Sequence, residues 1–75
     1  MIKSDKTKER IKKLRADSKL TQKRMAEILN IDEYSFQRYE YGERPSLDSL
    51  LILADYFNVS LDYLVGRTDN PDINK

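Results

Sequence analysis

Apolar residues recur along this chain every three or four positions in short runs, and the gaps between the runs hold residues that start and stop helices. From about Thr7 to Ser18, Ile11 and Leu14 fall inward and lysines fall outside. Thr21 is placed to cap a second helix, Gln22 to Leu29, whose apolar stripe is Met25, Ala26, Ile28 and Leu29. Asn30 follows where a tight turn needs a left-handed residue, a conformation that Asn tolerates better than any residue but Gly. Asp32 is read as the N-cap of a third helix that stops at Gly42. Ser46, after Pro45, caps a fourth from Leu47 to Phe57, where Leu47, Leu50, Leu51, Leu53, Ala54 and Phe57 keep helical spacing. Asp48 suits the positive end of that helix's dipole. Ser60 caps a last short helix, Leu61 to Val65, which Gly66 ends. Strand patterns, repeats and low-complexity tracts are missing from the sequence, and the connections are short. The pattern predicts an all-α, compact five-helix bundle over residues 1–66. Residues 67–75, with Asp69-Asn70-Pro71-Asp72, are expected to form a flexible C-terminal tail.

The third helix divides into two unlike faces. Phe36, Tyr39, Glu40 and Glu43 share one, with Phe36 and Tyr39 as core anchors. Ile31, Leu50, Leu53, Phe57, Val59, Leu61 and Leu64 are expected in the same core. The other face carries Glu33, Tyr34, Gln37, Arg38 and Tyr41. Arg, Gln and Glu are the side-chain types that pair with guanine, adenine and the cytosine amino group in a major groove, and a Tyr contacts a thymine methyl or a phosphate. Any solvated helix surface also shows such residues. The helix before it changes the weighting: two short helices joined by the turn Asn30–Asp32 form a helix-turn-helix, whose second helix enters the groove.

Composition narrows the chemistry. Seventy-five residues make one small domain, and a chain this short buries only about 60% of its unfolded surface. The absence of cysteine excludes disulfides and thiolate metal sites, and the absence of histidine removes the commonest metal ligand and general base. With two glycines there is no phosphate-cradling loop. No catalytic residue, metal site or cofactor is therefore expected. No apolar run approaches a membrane span of about 18 residues, and the lysine-rich N-terminus is unlike a signal peptide. A soluble, cytoplasmic protein is the default. Residues 1–24 carry ten basic and three acidic side chains, a balance of +7; residues 25–75 carry four basic and ten acidic, a balance of −6. The asymmetry fits either a polyanion partner for the first third or a solvated lysine face.

The run LTQKRMAEILNIDEYSFQRYEYGERPS resembles the lambda-repressor/Cro type of helix-turn-helix domain, the Xre family. The likeness rests on Leu20-Thr21-Gln22, Ala26, Leu29, Phe36, Tyr39-Glu40-Tyr41-Gly42, Pro45-Ser46, Leu50 to Ala54 and Val59 to Leu64, and it covers roughly residues 7 to 66. The departures are Asn30 in place of the usual turn Gly, and Glu33 and Tyr34 where many relatives have small or amide residues.

The resemblance implies a role for each matched position. Base contacts fall to Glu33, Tyr34, Gln37 and Arg38, with Gln37 and Arg38 foremost. Sugar-phosphate contacts fall to Thr21, Gln22, Lys23, Ser35, Tyr41 and Arg44. Arg15 and Glu40 match a salt bridge between the first and third helices that sets the tilt of the third. Leu61 and Tyr63 match a region near the two-fold axis and are expected at a dimer interface, unless Tyr63 merely edges the domain. The implied function is that of a sequence-specific DNA-binding regulator, a repressor acting as a homodimer on double-stranded palindromic operator DNA. An alternative is an antitoxin-like or adaptor module that binds a protein partner, which the acidic second half and exposed Tyr34 and Tyr41 would suit.

Overall fold

The computed structural model of the chain describes residues 6–72 and contains five helices: α1 (Thr7–Asp17), α2 (Gln22–Leu29), α3 (Glu33–Tyr41), α4 (Leu47–Phe57) and α5 (Leu61–Leu64). The sequence pattern locates every helix, and the differences are single residues at the ends of α1 and α5. The fold is all-α; no strand occurs among the described residues.

Local chemistry explains the boundaries. Thr21, Ser46 and Ser60 have extended backbones, and their hydroxyls accept from the amides of Arg24, Ser49 and Tyr63 at 3.0, 3.1 and 3.0 Å. Each such cap stabilises its helix by about 1 kcal/mol. Asn30 (φ 59°) and Asn58 (φ 57°) end α2 and α4 in the left-handed region, and Gly42 (φ 122°) ends α3. Asp32 stands at the N-cap of α3, but its side chain does not cap the backbone as expected. It accepts instead from the Ser35 hydroxyl. Lys19 is also left-handed, at φ 59°, where the chain reverses between α1 and α2.

The core forms where α3 packs against α2 and α1 and where α4 meets α2 and α5. Ile11, Met25, Phe36, Leu53 and Leu64 are its fully buried large side chains. Burying one such side chain contributes about 2–3 kcal/mol. Phe36 meets Tyr39 edge-on at 6.4 Å, and the Tyr39 hydroxyl reaches Ser49 Oγ at 3.2 Å, so its polar tip is satisfied inside. Ile31, Phe57 and Leu61 are half-buried at the margin. Leu47 and Leu51, grouped with the inward residues of α4 by spacing, stay outside at 62% and 48% exposure. The apolar stripe of α4 is wider than the surface available to cover it.

The segment read as a flexible tail makes specific contacts over its described part. Arg10 donates to the Tyr63 and Thr68 carbonyls at 2.8 and 3.1 Å and to Asp69 Oδ1 at 2.7 Å. The Ser60 amide donates to the Pro71 carbonyl at 2.8 Å. Residues 73–75 of that segment, and residues 1–5 of the domain, lie outside the described residues.

Candidate nucleic-acid interface

The site is built around one carboxylate. Glu40 lies on the inner face of α3 and is only 3% exposed. Its Oε2 accepts from Arg15 Nε at 2.7 Å, and its Oε1 accepts from Arg15 Nη2 at 3.3 Å and from Gln22 Nε2 at 2.9 Å. Arg15 also donates to the Leu20 carbonyl at 3.1 Å. A single side chain of α3 is thereby tied to α1, to the loop after it and to the first turn of α2. The pairing of Arg15 with Glu40 is as the motif suggested; the third member, Gln22, is not something spacing reveals. An amide NH2 has two donors, so Gln22 keeps one for another acceptor.

With α3 held from behind, its outer face meets solvent. Tyr34 is 64% and Tyr41 83% exposed; Glu33 and Arg38 are exposed, and Gln37 is half-buried. None of the five is enclosed by the core. The Arg38 guanidinium lies 5.7 Å from the Tyr34 ring centroid, within cation–π range. The structure thus brings Glu33, Tyr34, Gln37, Arg38 and Tyr41 onto one accessible side of one rigid helix.

The expected phosphate contacts fare unevenly. Thr21 and Lys23 are exposed at the start of α2, beside half-buried Gln22. The Thr21 oxygen accepts from Arg24 N, which leaves its hydroxyl hydrogen available. The Ser35 donor, by contrast, is directed to Asp32. That bond also holds the Asp32 carboxyl below the usual carboxylate range. Arg44 is exposed after α3 and lines a shallow cavity of about 150 Å³ with Thr7, Lys8, Gly42 and Glu43. Lys8 was not singled out in the sequence. Its approach to the end of α3 is a tertiary contact between α1 and Gly42, and no local pattern encodes it.

Part of the basic excess of the first third is paired with acids of the same chain, mostly at the surface. Arg10 and Lys6 pair with Asp69, Lys13 with Asp17, Arg15 with Glu40 and Arg24 with Glu27. The sequence-wide charge asymmetry therefore overstates the positive surface. At the other end, the Arg10 guanidinium lies 4.0 Å from the ring centroid of half-buried Tyr63. Leu61 lines a groove of about 290 Å³ with Leu51, Ala54, Asp55, Val59 and Ser60. Among the described residues no cluster of His, Cys, Asp or Glu could hold a metal, and no helix is long and apolar enough to cross a membrane.

A sequence model described as helix-turn-helix matches residues 11–64, spanning α1 to α5. The chain belongs to the lambda-repressor-like (Xre) helix-turn-helix family. It is 43% identical over 65 residues to the uncharacterized HTH-type transcriptional regulator YobD of Bacillus subtilis, covering 85% of this chain and 58% of that protein. It is 43% identical over 61 residues to the HTH-type transcriptional regulator ImmR of the same organism, covering 80% and 48%. Against the cryptic phage CTXphi transcriptional repressor RstR of Vibrio cholerae the identity is 38% over 63 residues, covering 83% and 56%. A crystal structure of a transcriptional regulator from Listeria innocua superposes with a TM-score of 0.82 at 31% identity, covering 85% of this chain and 61% of that one. The chain thus spans about half the length of the curated relatives it matches. The family is one of DNA-binding transcriptional regulators, not enzymes.

Proposed function

We propose that this helix-turn-helix protein is a sequence-specific repressor that binds a palindromic operator as a homodimer, with α3 in the major groove of each half-site. One observation carries the reading. The inner face of α3 is locked by Phe36, Tyr39 and the Glu40 cluster, while Glu33, Tyr34, Gln37, Arg38 and Tyr41 stand outside it on a fixed rod. Gln37 and Arg38 select bases, Tyr34 adds apolar and edge contact, and Glu33 accepts from a cytosine amino group or repels unmatched sites. Thr21, Gln22, Lys23, Tyr41 and Arg44 hold the sugar-phosphate backbone and supply most of the affinity and its salt dependence. Ser35 joins them only if its hydroxyl leaves Asp32.

The α4–α5 face suits a second copy of the chain. Leu47 and Leu51, one turn apart on α4, are 62% and 48% exposed there, and Leu51 lines the same groove as Leu61. Such a two-fold partner places two α3 helices about 10 bp apart, and bound dimers keep polymerase off a promoter. Tyr63, already stacked on Arg10, stands at the rim of that contact. The protein acts in the cytoplasm, where the DNA is.

The test is selection of bound duplexes from a random pool, followed by Arg38→Ala and Gln37→Ala on the selected sequence. Loss of preference at particular base pairs is the expected result, at about 1–3 kcal/mol per lost bidentate contact. Lys23→Ala and Arg44→Ala should weaken all sequences alike and flatten the salt dependence by about one unit of slope each. If no motif emerges from the pool, the DNA reading fails and the outer face of α3 belongs to a protein partner.

A further inference from the structure

Arg38 does not stand alone at the surface of α3. Glu43 lies just past the helix end, and its Oε1 pairs with Arg38 Nη2. The backbone dictates the meeting. Gly42 turns at φ 122°, and the Glu43 amide then donates to the Arg38 carbonyl at 2.9 Å, which folds residue 43 back over residue 38. Tyr34, one turn earlier, offers its ring to the same guanidinium. The two charged side chains are 51% and 43% exposed, so the pair sits where an incoming ligand can reach it.

A guanidinium has five N–H donors in a planar fork, and the pairing with Glu43 uses Nη2. We infer that Glu43 is a positioning residue for Arg38 and thereby a determinant of sequence specificity. The inference rests on reading α3 as the DNA-contacting helix. The carboxylate does two things to Arg38. It restricts a long side chain that otherwise loses much rotamer freedom on binding, so the remaining donors keep one direction. It also cancels the charge, so Arg38 gains little from a phosphate in any sequence and most from a base edge with two aligned acceptors, such as guanine O6 and N7. Glu43 turns Arg38 from a point of positive charge into a set of aimed donors.

The experiment compares Glu43→Gln and Glu43→Asp with the parent, using the selected duplex, its single-base variants and a random duplex. Glu43→Gln removes the charge; Glu43→Asp keeps it but withdraws it by one methylene. Both variants should relax discrimination at the base pair that Arg38→Ala affects, by about two- to fivefold, the range expected of an exposed ion pair. Preference at the other positions stays as in the parent. Only Glu43→Gln should also steepen the salt dependence, by about 0.9 in slope. A uniform change in affinity for every duplex, or an unchanged preference in both variants, overturns the inference while leaving the DNA reading standing. A parent protein that binds no duplex ends that reading, and this inference with it.

Discussion

Replacing Glu40 with alanine should lower the melting temperature by about 10–20 °C. The carboxylate is 3% exposed and accepts from Arg15 twice and from Gln22 once. Removing one partner of a buried ion pair costs about 3–5 kcal/mol, because the other charge is left without compensation. Two features pull this case below that range. The Arg15 side chain is 25% exposed, and it keeps its bond to the Leu20 carbonyl at 3.1 Å, so water and one acceptor relieve the stranded guanidinium. A loss of about 2–3 kcal/mol follows. In a domain of this size each kcal/mol moves the midpoint by about 4–8 °C. The assay is thermal unfolding by circular dichroism on Glu40→Ala, Arg15→Met and the double variant. The two single losses should exceed the double loss by about 1–3 kcal/mol, since the second substitution removes a group already stranded by the first. Glu40→Gln, which keeps an acceptor for Arg15, should lose about 1 kcal/mol. A Glu40→Ala midpoint within about 2 °C of the parent, or strictly additive losses, would refute the reasoning.

Two further outcomes follow from backbone and charge. Lys19 adopts φ 59° in the turn after α1, a conformation that costs an L-residue about 1–2 kcal/mol. Lys19→Gly should therefore raise stability by about 0.5–1 kcal/mol in urea unfolding, with glycine's extra freedom in the unfolded chain offsetting part of the gain; a loss would mean that the lysine side chain contributes a contact of its own. Asp69 is held below the usual carboxylate range, first by its hydrogen bond from Arg10 and then by the charges of Lys6 and Arg10. A carboxylate whose folded pKa is depressed stabilises the fold above its unfolded pKa, and that contribution disappears as pH falls through the folded value. Asp69→Asn should accordingly melt below the parent at neutral pH, and the two melting curves should converge in acid beneath the ordinary carboxylate range. A gap that persists there would assign the loss to geometry instead of charge.

The helices were legible because most of their boundaries are written in short-range chemistry. Thr21, Ser46 and Ser60 act within three residues of themselves, and Asn30 and Gly42 satisfy local dihedrals. The division of α3 was legible for the same reason, since Phe36 and Tyr39 differ in kind from Tyr34, Gln37 and Arg38. What sequence did not disclose are meetings between distant segments that share no periodicity. The Gln22–Glu40 bond joins two helices, Arg10 reaches across to Asp69, and Lys8 approaches Gly42. Nor could charge counting show that five of the basic residues in the first third are matched by acids of the same chain. The exposure of Leu47 and Leu51 belongs with these, because helical spacing marks a stripe but not how much surface exists to cover it.

The two-sidedness of α3 also bears on how such a domain changes over generations. Everything that sets the angle of the rod sits behind it, and substitutions at exposed positions away from special contacts usually shift stability by no more than about 0.5 kcal/mol. Glu33, Tyr34 and Tyr41, all exposed, can be exchanged with little danger to folding, whereas an equal number of changes at Phe36, Tyr39 and Glu40 would leave nothing to aim. The scaffold therefore behaves like a handle with a replaceable blade: its partner can drift quickly while its shape stands still.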